Sequence, residues 1–580
     1  MTRPAATDAS FAEYHSWSGG TTRRRNWRQS QGLATVLPAS GIALGAILIL
    51  GPLLGGLIRS LLVWHGDAAS VSLANFADLL ADPRFYSAVG NTLLCGACTT
   101  LISLVLGTCM AWIVTRTEIP GRGLFETLNL VPFFMSPYVG ALAWVFLVAP
   151  YSGLLQTSAQ DLFGFSLSWL NIYSRPGVIW VLSLFYAPYV YLLVLSPLRQ
   201  MDGSLEDAAR VHGASFWSSL RLITLPLLYP AMLGSCLIVF VTSAGLFDVP
   251  LALTATKGIR MVPTEIFSAV SYPSDLGRAS AYGILITAAT IAITLLQRRY
   301  LARRRYITVT GKAYRARPYR LSAAGRLIAL AIELAYIGTS VALPTIALLA
   351  VALSPLWTGR FDPSAASLGN FRYVLFDYPL TQGAIRNSLL LALVGASIGL
   401  VLSTLQSYFL ERSRWRFRAL ADAVVSLPLG IPGIVLSLFF LTLAIRTPLY
   451  DTLTIMLIAY IARFFPLSTR TVTASLIGLH PELEESSRAC GASWLQTMRH
   501  IVIPLLRPAL VAAWIMLFVV FIRELGASIL LYTSGTETMS VAMVLLSENS
   551  AGYVAALALI QLMMLFGAFA ILRLTRAQLA

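Results

Sequence analysis

The chain has 580 residues, of which 57% are hydrophobic and only 12% are charged, and its net charge at pH 7 is +16. A soluble protein of this length needs much more polar surface to cover its core, so the composition excludes that class. The apolar residues are gathered in windows of about 18 or more, which excludes an outer-membrane barrel, whose strands alternate polar and apolar residues.

The windows predict an all-α polytopic membrane protein with about twelve transmembrane helices. A polar segment (1–33) precedes them and is predicted to be cytoplasmic. The predicted spans of the first half (34–297) lie near 38–63, 86–115, 124–149, 177–198, 226–252 and 279–297. Those of the second half (327–580) lie near 327–353, 384–410, 419–446, 453–476, 504–532 and 553–573.

The basic residues predict how the chain is oriented in the membrane. Most Lys and Arg residues fall in segments that would be cytoplasmic if both termini were cytoplasmic. The linker between the halves (298–326) is the most basic stretch and includes Arg303, Arg304, Arg305 and Arg315. A cytoplasmic linker beside lipid headgroups explains this charge, so we expect membrane lipids and no nucleic acid as its surroundings.

The two halves are homologous. The segment Glu206–Ala231 aligns without gaps to Glu484–Ala509, 278 residues later, with 12 of 26 positions identical. Nearer the start of each half the offset is 296, which matches Asn91 to Asn387 and Pro132 to Pro428. Each half has six predicted spans, so both would enter the membrane in the same direction, with a pathway between them.

The repeated segment lies between spans four and five of each half (199–225 and 477–503), on the predicted cytoplasmic side. It has an acidic start, small residues, a glycine that breaks the helix, and a proline where the next span begins. In the first copy these residues are Glu206, Asp207, Ala208, Ala209, Arg210, Gly213, Ala214, Ser215 and Pro226. In the second copy they are Glu484, Glu485, Ser486, Ser487, Arg488, Gly491, Ala492, Ser493 and Pro504.

This pattern resembles the EAA loop of type I ABC importer permeases, and the six-span layout of both halves extends the resemblance over nearly the whole chain. The resemblance implies that each loop forms a coupling helix that docks on an ATP-binding subunit. We therefore call residues 199–225 and 477–503 the coupling loops. Ser486 and Ser487 stand where the family usually has two alanines, and serine is nearly as small.

The resemblance also implies the partners. The sequence has no GxxxxGK[ST] phosphate loop, so ATP hydrolysis is expected in two separate ABC ATPase subunits. The chain itself is predicted to be a non-catalytic subunit without a bound cofactor or metal. The family implies that a periplasmic or lipid-tethered binding protein delivers the substrate, and that transport in the bacterial inner membrane proceeds by alternating access.

Three ionisable residues lie inside predicted spans, where charge is costly and often functional. Asp248 lies in span five of the first half, Arg463 in span four of the second half, and Glu524 in span five of the second half. One hypothesis is that they line the pathway or its gate, with Arg463 paired to Glu524. The alternative is interhelical pairing that only fixes packing.

The substrate is open at this stage. Fused permeases of this kind resemble ferric-iron importers most, including the outer segment Tyr272–Gly277, so ferric iron is our first choice. Importers of thiamine, aminoethylphosphonate and other small solutes share the architecture. A secondary transporter of the major facilitator type is the alternative class, although the loop between spans two and three lacks the glycine–aspartate pattern of that class.

Overall fold

The computed structural model of the chain describes residues 20–65, 68–165, 167, 169–201, 203–254, 257–271, 273–303, 321–413 and 415–579. Residues 1–19 of the predicted N-terminal segment and residues 304–320 of the basic linker lie outside this description. Arg304, Arg305, Arg315 and Tyr272, named in the sequence analysis, are therefore outside the residues that the structure describes.

The described part of the first half consists of helices and one short hairpin. Its helices are α1 (Gly20–Leu61), α2 (Ala74–Ala81), α3 (Pro83–Arg116), α4 (Arg122–Leu128), α5 (Val131–Phe134), α6 (Pro137–Val148), α7 (Leu154–Phe163), α8 (Arg175–Gln200), α9 (Ser204–Val211), α10 (Phe216–Ser219), α11 (Leu225–Gly245), α12 (Asp248–Thr254), α13 (Val262–Ser271) and α14 (Leu276–Arg303). A π-helical turn, Leu220–Thr224, joins α10 to α11. Strands β1 (Leu62–His65) and β2 (Ala68–Val71) pair antiparallel after α1.

The described second half has a similar order of helices, without the hairpin and without a counterpart of α7. Its helices are α15 (Ala323–Ile337), α16 (Leu343–Leu353), α17 (Gly369–Arg372), α18 (Pro379–Arg412), α19 (Arg418–Ser426), α20 (Gly433–Ala444), α21 (Leu453–Ile477), α22 (Pro481–Ala489), α23 (Trp494–Thr497), α24 (Ile503–Ile522), α25 (Met539–Leu546) and α26 (Ala551–Leu579). Three π-helical turns are present at Gly338–Ala342, Tyr373–Asp377 and Met498–Val502, and two 3-10 turns at Pro363–Ala365 and Leu427–Gly430.

Ten helical runs of the described chain are long and apolar enough to span a membrane as single helices. They are Ser40–Leu61, Pro83–Arg116, Arg175–Gln200, Phe216–Gly245, Leu276–Leu296, Ala323–Leu353, Pro379–Arg412, Leu453–Ile477, Trp494–Ile522 and Ala551–Ile571. They correspond to spans one, two, four, five and six of each half.

Span three of each half is broken, which the sequence did not predict. Arg122–Phe134 and Pro137–Val148 meet at 97°, and Arg418–Gly430 and Gly433–Ala444 meet at 105°. Pro137 begins α6 and Pro432 precedes α20, and proline has no N–H donor to continue a helix across the break. The apolar segments predicted as spans near 124–149 and 419–446 therefore each consist of two helices rather than one.

The ends of the neighbouring helices indicate that each broken span still crosses the bundle. Arg116 at the end of α3 approaches the backbone oxygen of Met201, just after α8, with 3.5 Å between them. Arg412 at the end of α18 donates a hydrogen bond of 2.8 Å to the backbone oxygen of Leu479, just after α21. Spans two and four thus end on one face in both halves, and the chain between them must return across the bundle. We call this face the coupling face.

The halves interlock through their first spans. Helix α1 packs against α18 and α20 of the second half, and α16 packs against α6 of the first half. Gly56 of α1 permits the close approach, because an added Cβ atom would overlap the ring of Phe439 in α20. One continuous apolar core includes buried residues of both halves, such as Tyr191 and Phe521. The predicted fold class, an all-α polytopic membrane protein with two homologous six-helix halves, is confirmed.

Candidate functional site

The first coupling loop begins with α9, and its first acidic residue faces the bundle. Glu206 is fully buried. Its carboxylate lies 3.3 Å from Nε of Arg116 at the end of α3 and accepts a hydrogen bond of 2.7 Å from the Thr224 hydroxyl. The ion pair therefore fixes α9 to the end of span two.

The second coupling loop begins with α22, and the equivalent acidic residue is buried in the same way. Glu484 accepts a hydrogen bond of 2.7 Å from Nε of Arg412 and one of 2.8 Å from the Tyr408 hydroxyl. Arg488, one turn along α22, approaches the same carboxylate at 3.7 Å. Helix α22 is therefore fixed to α18, span two of its own half.

The second acidic residue and the small residues of each loop lie nearer the surface. Glu485, Ser486, Arg488 and Ala208 are exposed, and Asp207, Ala209 and Ser487 are half-buried. The backbone of Arg210 lies in α9, while its side chain is outside the description. Each loop thus presents a small, charged surface outward and its first carboxylate inward.

The two glycines of the loops adopt a conformation that favours glycine. Gly213 has φ +78° and Gly491 has φ +86°, in the left-handed region. A Cβ atom added at either position would meet no described atom within 4 Å. The backbone conformation therefore favours glycine at both positions, and the absence of a side chain leaves open surface on the coupling face.

A serine begins the second helix of each loop. Ser215 Oγ accepts a hydrogen bond from the N–H of Ser218, and Ser493 Oγ accepts one from the N–H of Gln496, each of 3.3 Å. Gln496 also accepts a hydrogen bond from the Ser493 N–H, which completes a capping box. Ala214 and Ala492, just before the serines, are half-buried.

The second helix of each loop continues directly into span five, which therefore begins before the proline that was predicted to mark its start. The helical runs extend over Phe216–Gly245 and Trp494–Ile522. Pro226 and Pro504 are the second residues of α11 and α24, and a π-helical turn precedes each of them. Proline lacks a helical donor, and the wider turn is the local adjustment at both positions.

Apolar side chains are exposed at equivalent positions of the two loops. Trp217 is 73% exposed and Leu495, 278 residues later, is 66% exposed. Leu205 and Leu483 form a second equivalent pair, and both are exposed. Exposed apolar groups that recur at one face are typical of a surface covered by another protein.

The three ionisable residues predicted inside the spans come together between the two halves. Arg463 in α21 forms the predicted ion pair with Glu524, which also accepts a hydrogen bond of 2.8 Å from the N–H of Ala527. Asp248 is nearly buried and interacts electrostatically with Glu524, Arg463 and Arg523. Asp248 begins α12 and Glu524 follows α24, so both lie just beyond the end of span five rather than within it.

This central charge cluster (Asp248, Arg463, Arg523 and Glu524) adjoins the breaks of both third spans. Arg463 lies against Gly433, the first residue of α20, where an added Cβ atom would collide with the guanidinium group. Arg523 donates hydrogen bonds to the backbone oxygens of Phe133 and Met135 at the other break. The cluster therefore lies where the halves meet and where two helices are interrupted.

Sequence reasoning missed Arg116 and Arg412, which hold the buried carboxylates of the coupling loops. A signal was present, because Arg116 and Arg412 are 296 residues apart, the same offset that relates Asn91 to Asn387. The polar groups of the coupling loops and of the central charge cluster form ion pairs and hydrogen bonds between helices.

Comparisons with known proteins agree with this architecture. Residues 116–306 and 395–577, more than half of the chain, match the family described as "binding-protein-dependent transport system inner membrane component". The chain is 26% identical over 472 residues to the putative ferric transport system permease protein FbpB 1 of Haemophilus influenzae, covering 79% of this chain and 72% of that protein.

Other known proteins are similar to most of the chain or to part of it. The chain is 26% identical to the probable ABC transporter permease protein y4fN of Sinorhizobium fredii, with 82% of this chain and 84% of that protein covered. It is 28% identical to the sulfate transport system permease protein CysT of Escherichia coli, with 46% of this chain and 95% of that protein covered. Among solved structures, a bacterial ABC transporter involved in alginate import aligns with 49% of this chain and 97% of its own, at 18% identity and a TM-score of 0.37.

The family match sets aside the major facilitator alternative and confirms the predicted resemblance. It also identifies the chain as a non-catalytic transport subunit and a multi-pass protein of the inner membrane. The chain belongs to the binding-protein-dependent transport system inner membrane components and is an ABC importer permease with two fused halves.

Proposed function

We propose that this permease imports ferric iron from the periplasm to the cytoplasm, driven by two separate ATPase subunits that dock on the two coupling loops. The chain itself would bind no nucleotide, and ATP would be used by those partners. The observation that carries the ATPase part of this proposal is the pair of equivalent coupling loops on one face, each with a buried acidic residue and an open glycine.

The docking surface is supported by the geometry of the loops. Asp207 and Glu485 occupy equivalent positions in the two coupling loops. Gly213 and Gly491, six residues further along, have no side chain, and the space next to each of them is open. Trp217 and Leu495 add exposed apolar groups to the same surface. An ATPase dimer has twofold symmetry, and two equivalent docking surfaces on one chain suit such a partner.

Alternating access is supported by the position of the central charge cluster. Broken helices at membrane depth are typical of transporter binding sites, because interrupted backbone is tolerated where it borders a cavity. ATP-driven approach of the two coupling loops would separate the halves on the outer side, where a periplasmic or lipid-tethered binding protein delivers its load. Hydrolysis would then reset the permease, with both termini and the coupling face in the cytoplasm.

Ferric iron as the substrate rests on the relatives and on two carboxylates. Three of the relatives are named as ferric or Fe(3+) transport permeases. Asp248 and Glu524 belong to the central charge cluster, and carboxylate oxygen is a preferred ligand of hard cations. Glu524 is already paired with Arg463, so Asp248 is the group we expect to meet the cation during passage.

Copurification tests the ATPase proposal. The chain is expressed with its genomic neighbours, and an ABC ATPase is expected to elute with it. Replacing Gly213 and Gly491 together by phenylalanine should remove the ATPase, because the added rings would occupy the open docking surface. Replacement of both by asparagine, which tolerates positive φ, should have a smaller effect.

The chain offers a matched control for this experiment. Gly164 and Gly535 also have positive φ and also lack any described atom within 4 Å of an added Cβ, but they lie away from the coupling face. Phenylalanine at these two positions should leave the ATPase bound. Retention of the ATPase by the Gly213/Gly491 phenylalanine variant would contradict the docking proposal.

Uptake of radioactive ferric iron by cells tests the substrate. Cells that depend on this permease should accumulate the label, and excess thiamine or aminoethylphosphonate should not compete. Iron as the substrate would be contradicted if cells that lack the chain accumulated the same amount of label. Competition by thiamine or aminoethylphosphonate would contradict it as well.

A further inference from the structure

In the first half, the inner end of span two is joined to both helices of the coupling loop. Arg116 of α3 pairs with Glu206 in α9 at 3.3 Å. Trp112, one helical turn earlier on the same face of α3, lies with its ring 5.2 Å from that of Phe216 in α10. One charged contact and one aromatic contact thus connect α3 to the loop.

The second half has the same two contacts. Arg412 of α18 pairs with Glu484 in α22 at 2.7 Å. Tyr408, one turn earlier, lies with its ring 5.8 Å from that of Trp494 in α23. Tyr408 also donates a hydrogen bond to Glu484, so the charged and aromatic contacts are connected.

The duplication has preserved these contacts although the spacing between their partners has changed. The residues of span two are related by an offset of 296, and those of the coupling loops by 278. The equivalent pairs are Arg116 and Arg412, Trp112 and Tyr408, Glu206 and Glu484, and Phe216 and Trp494. The arginine and the glutamate are identical in both halves, whereas Thr224, which also contacts Glu206, has Val502 as its equivalent.

The outer end of span two is fixed to a second segment in the first half. Asn91 of α3 donates a hydrogen bond of 2.9 Å to the backbone oxygen of Arg260. The neighbouring Thr92 accepts one of 3.0 Å from the N–H of Val262. These contacts hold the segment between α12 and α13, and α12 begins with Asp248 of the central charge cluster.

The outer end of α18 makes equivalent contacts. Asn387 donates hydrogen bonds of 3.0 Å to the backbone oxygens of Gly535 and Glu537. Ser388 accepts one of 2.8 Å from the N–H of Met539, the first residue of α25. Both ends of span two are therefore bound to other elements in each half.

Span two is suited to carry movement between these two ends. Helices α3 and α18 each run unbroken for 34 residues. The stretch from Thr92 to Arg116 is about 36 Å long at 1.5 Å per residue, slightly more than the hydrocarbon layer. Its inner ion pair is buried, so water and salt screen the attraction weakly.

We infer that Arg116 and Arg412 are positioning residues that make span two of each half follow its coupling loop and so carry ATP-driven movement to the outer segments held by Asn91 and Asn387. This inference rests on the proposed docking of ATPase subunits on the coupling loops. It names the element through which that docking would act on the central charge cluster.

The test measures movement of span two in the intact complex. Val105 and Val401 are equivalent, exposed residues of α3 and α18, so single nitroxide labels can be attached to cysteines placed there. The five native cysteines, Cys95, Cys98, Cys109, Cys236 and Cys490, are first replaced. Double electron–electron resonance then gives the distance between the labels in lipid nanodiscs, without nucleotide and with a non-hydrolysable ATP analogue.

The distance is expected to change with nucleotide in the parent complex. Arg116→Ala and Arg412→Ala together should retain the ATPase and MgATP hydrolysis but lose most of the distance change. Lysine at both positions should restore it, because the attraction to Glu206 and Glu484 is kept. Alanine variants that keep the full change, or that lose the ATPase, would overturn the inference, as would lysine variants that fail to restore the change.

A control and a second substitution make the outcome specific. Arg470→Ala removes a more exposed ion pair, with Asp422, outside the coupling loops, and the distance change should survive. If the alanine variants of Arg116 and Arg412 do not fold, methionine, which fills more of the space but donates nothing to the carboxylate, replaces alanine; a full distance change would then overturn the inference. A parent chain that brings down no ATPase would instead refute the proposed function, before any variant is compared.

Discussion

Arg523 in the second half donates a hydrogen bond of 2.9 Å to the backbone oxygen of Met135 in the first half. The equivalent residue of the first half, 278 positions earlier, is Gly245, which instead packs against Pro432 at the other break. The end of span five thus contacts the broken span of the opposite half on both sides of the molecule. Only the contact made by the second half carries a charge.

The first prediction concerns this asymmetry. Arg523→Gly introduces the residue that the first half has at the equivalent position. It removes the guanidinium group that donates hydrogen bonds to the backbone oxygens of Phe133 and Met135. Hydrogen bonds from a charged group contribute about 1.5–3 kcal/mol each. We expect a lower thermal unfolding midpoint of the purified permease, measured by size-exclusion chromatography of heated samples.

A lysine at the same position separates charge from geometry. Arg523→Lys keeps the positive charge but is shorter and lacks the second nitrogen, which donates to the Tyr189 hydroxyl, so an intermediate midpoint is expected. An unchanged midpoint for Arg523→Gly would show that the interhalf hydrogen bonds contribute nothing to stability.

The sequence predicted which apolar segments of this region form spans, but it did not predict the bend within span three. The apolar windows and the duplication predict six spans per half, because hydropathy and self-similarity are local properties of the chain. The break between α5 and α6 depends on whether a proline is accommodated within a helix or interrupts it, and tertiary contacts decide that. Pro188 and Pro466 lie inside α8 and α21, whereas Pro137 marks a bend of 97°.

The second prediction concerns the buried ion pair of Arg463 and Glu524. Glu524→Gln removes the negative charge but keeps an oxygen that can accept the hydrogen bond from Ala527. If these residues line the pathway, the variant is expected to transport poorly while being expressed at the normal level. Uptake of radioactive ferric iron and immunoblotting of membranes measure the two quantities.

The paired variant separates a pathway role from packing. Removing one partner of a buried pair costs about 3–5 kcal/mol, because the other charge is left uncompensated, whereas replacing both is often tolerated. Arg463→Gln combined with Glu524→Gln should therefore recover stability but not transport. Normal transport by Glu524→Gln, or by the double variant, would leave only a packing role.

The third prediction concerns Gly433, the first residue of α20. An added Cβ atom would collide with the guanidinium group of Arg463, which Glu524 holds in place. Gly433→Ala should therefore displace Arg463 and reduce transport. Gly430, three residues earlier, is a matched control, because its added Cβ would meet only the Thr294 hydroxyl, at 3.9 Å.

Transport by Gly430→Ala should remain close to that of the parent chain, because the added methyl group displaces no described side chain. Equal effects of Gly430→Ala and Gly433→Ala would mean that the contact with Arg463 is not the cause.

The candidate site was accessible to sequence reasoning only in part. The coupling loops were found because their pattern is repeated within 26 consecutive residues. The partners of Glu206 and Glu484 were missed because Arg116 and Arg412 are distant in the chain, and the ion pair forms only when span two packs beside the loop. The inward orientation of the first acidic residue and the outward orientation of the second follow from the helix, whose neighbouring residues point about 100° apart.

The last prediction concerns Glu333 in α15, which is fully buried and contacts the broken span of the first half. Its Oε2 atom accepts a hydrogen bond of 2.9 Å from the side-chain amide of Asn129, between α4 and α5. Its Oε1 atom and the Asn129 Oδ1 atom both lack a partner in the described chain. Glutamine in place of Glu333 would supply an N–H group that can donate to Asn129 Oδ1 while its own oxygen still accepts from Asn129.

Glu333→Gln is therefore expected to keep or raise the thermal unfolding midpoint, because it pairs two buried acceptors that lack donors. Glu333→Ala should lower it, since the Asn129 amide is then left without its acceptor, at a cost of about 1–3 kcal/mol. Asn129→Ala should lower it as well, and the double alanine variant should be less harmful than the sum of the single variants, because both remove the same contact. If Glu333→Gln is as unstable as Glu333→Ala, the carboxylate has a role that an amide cannot fill, and the contact between α15 and the broken span does not rest on this hydrogen bond.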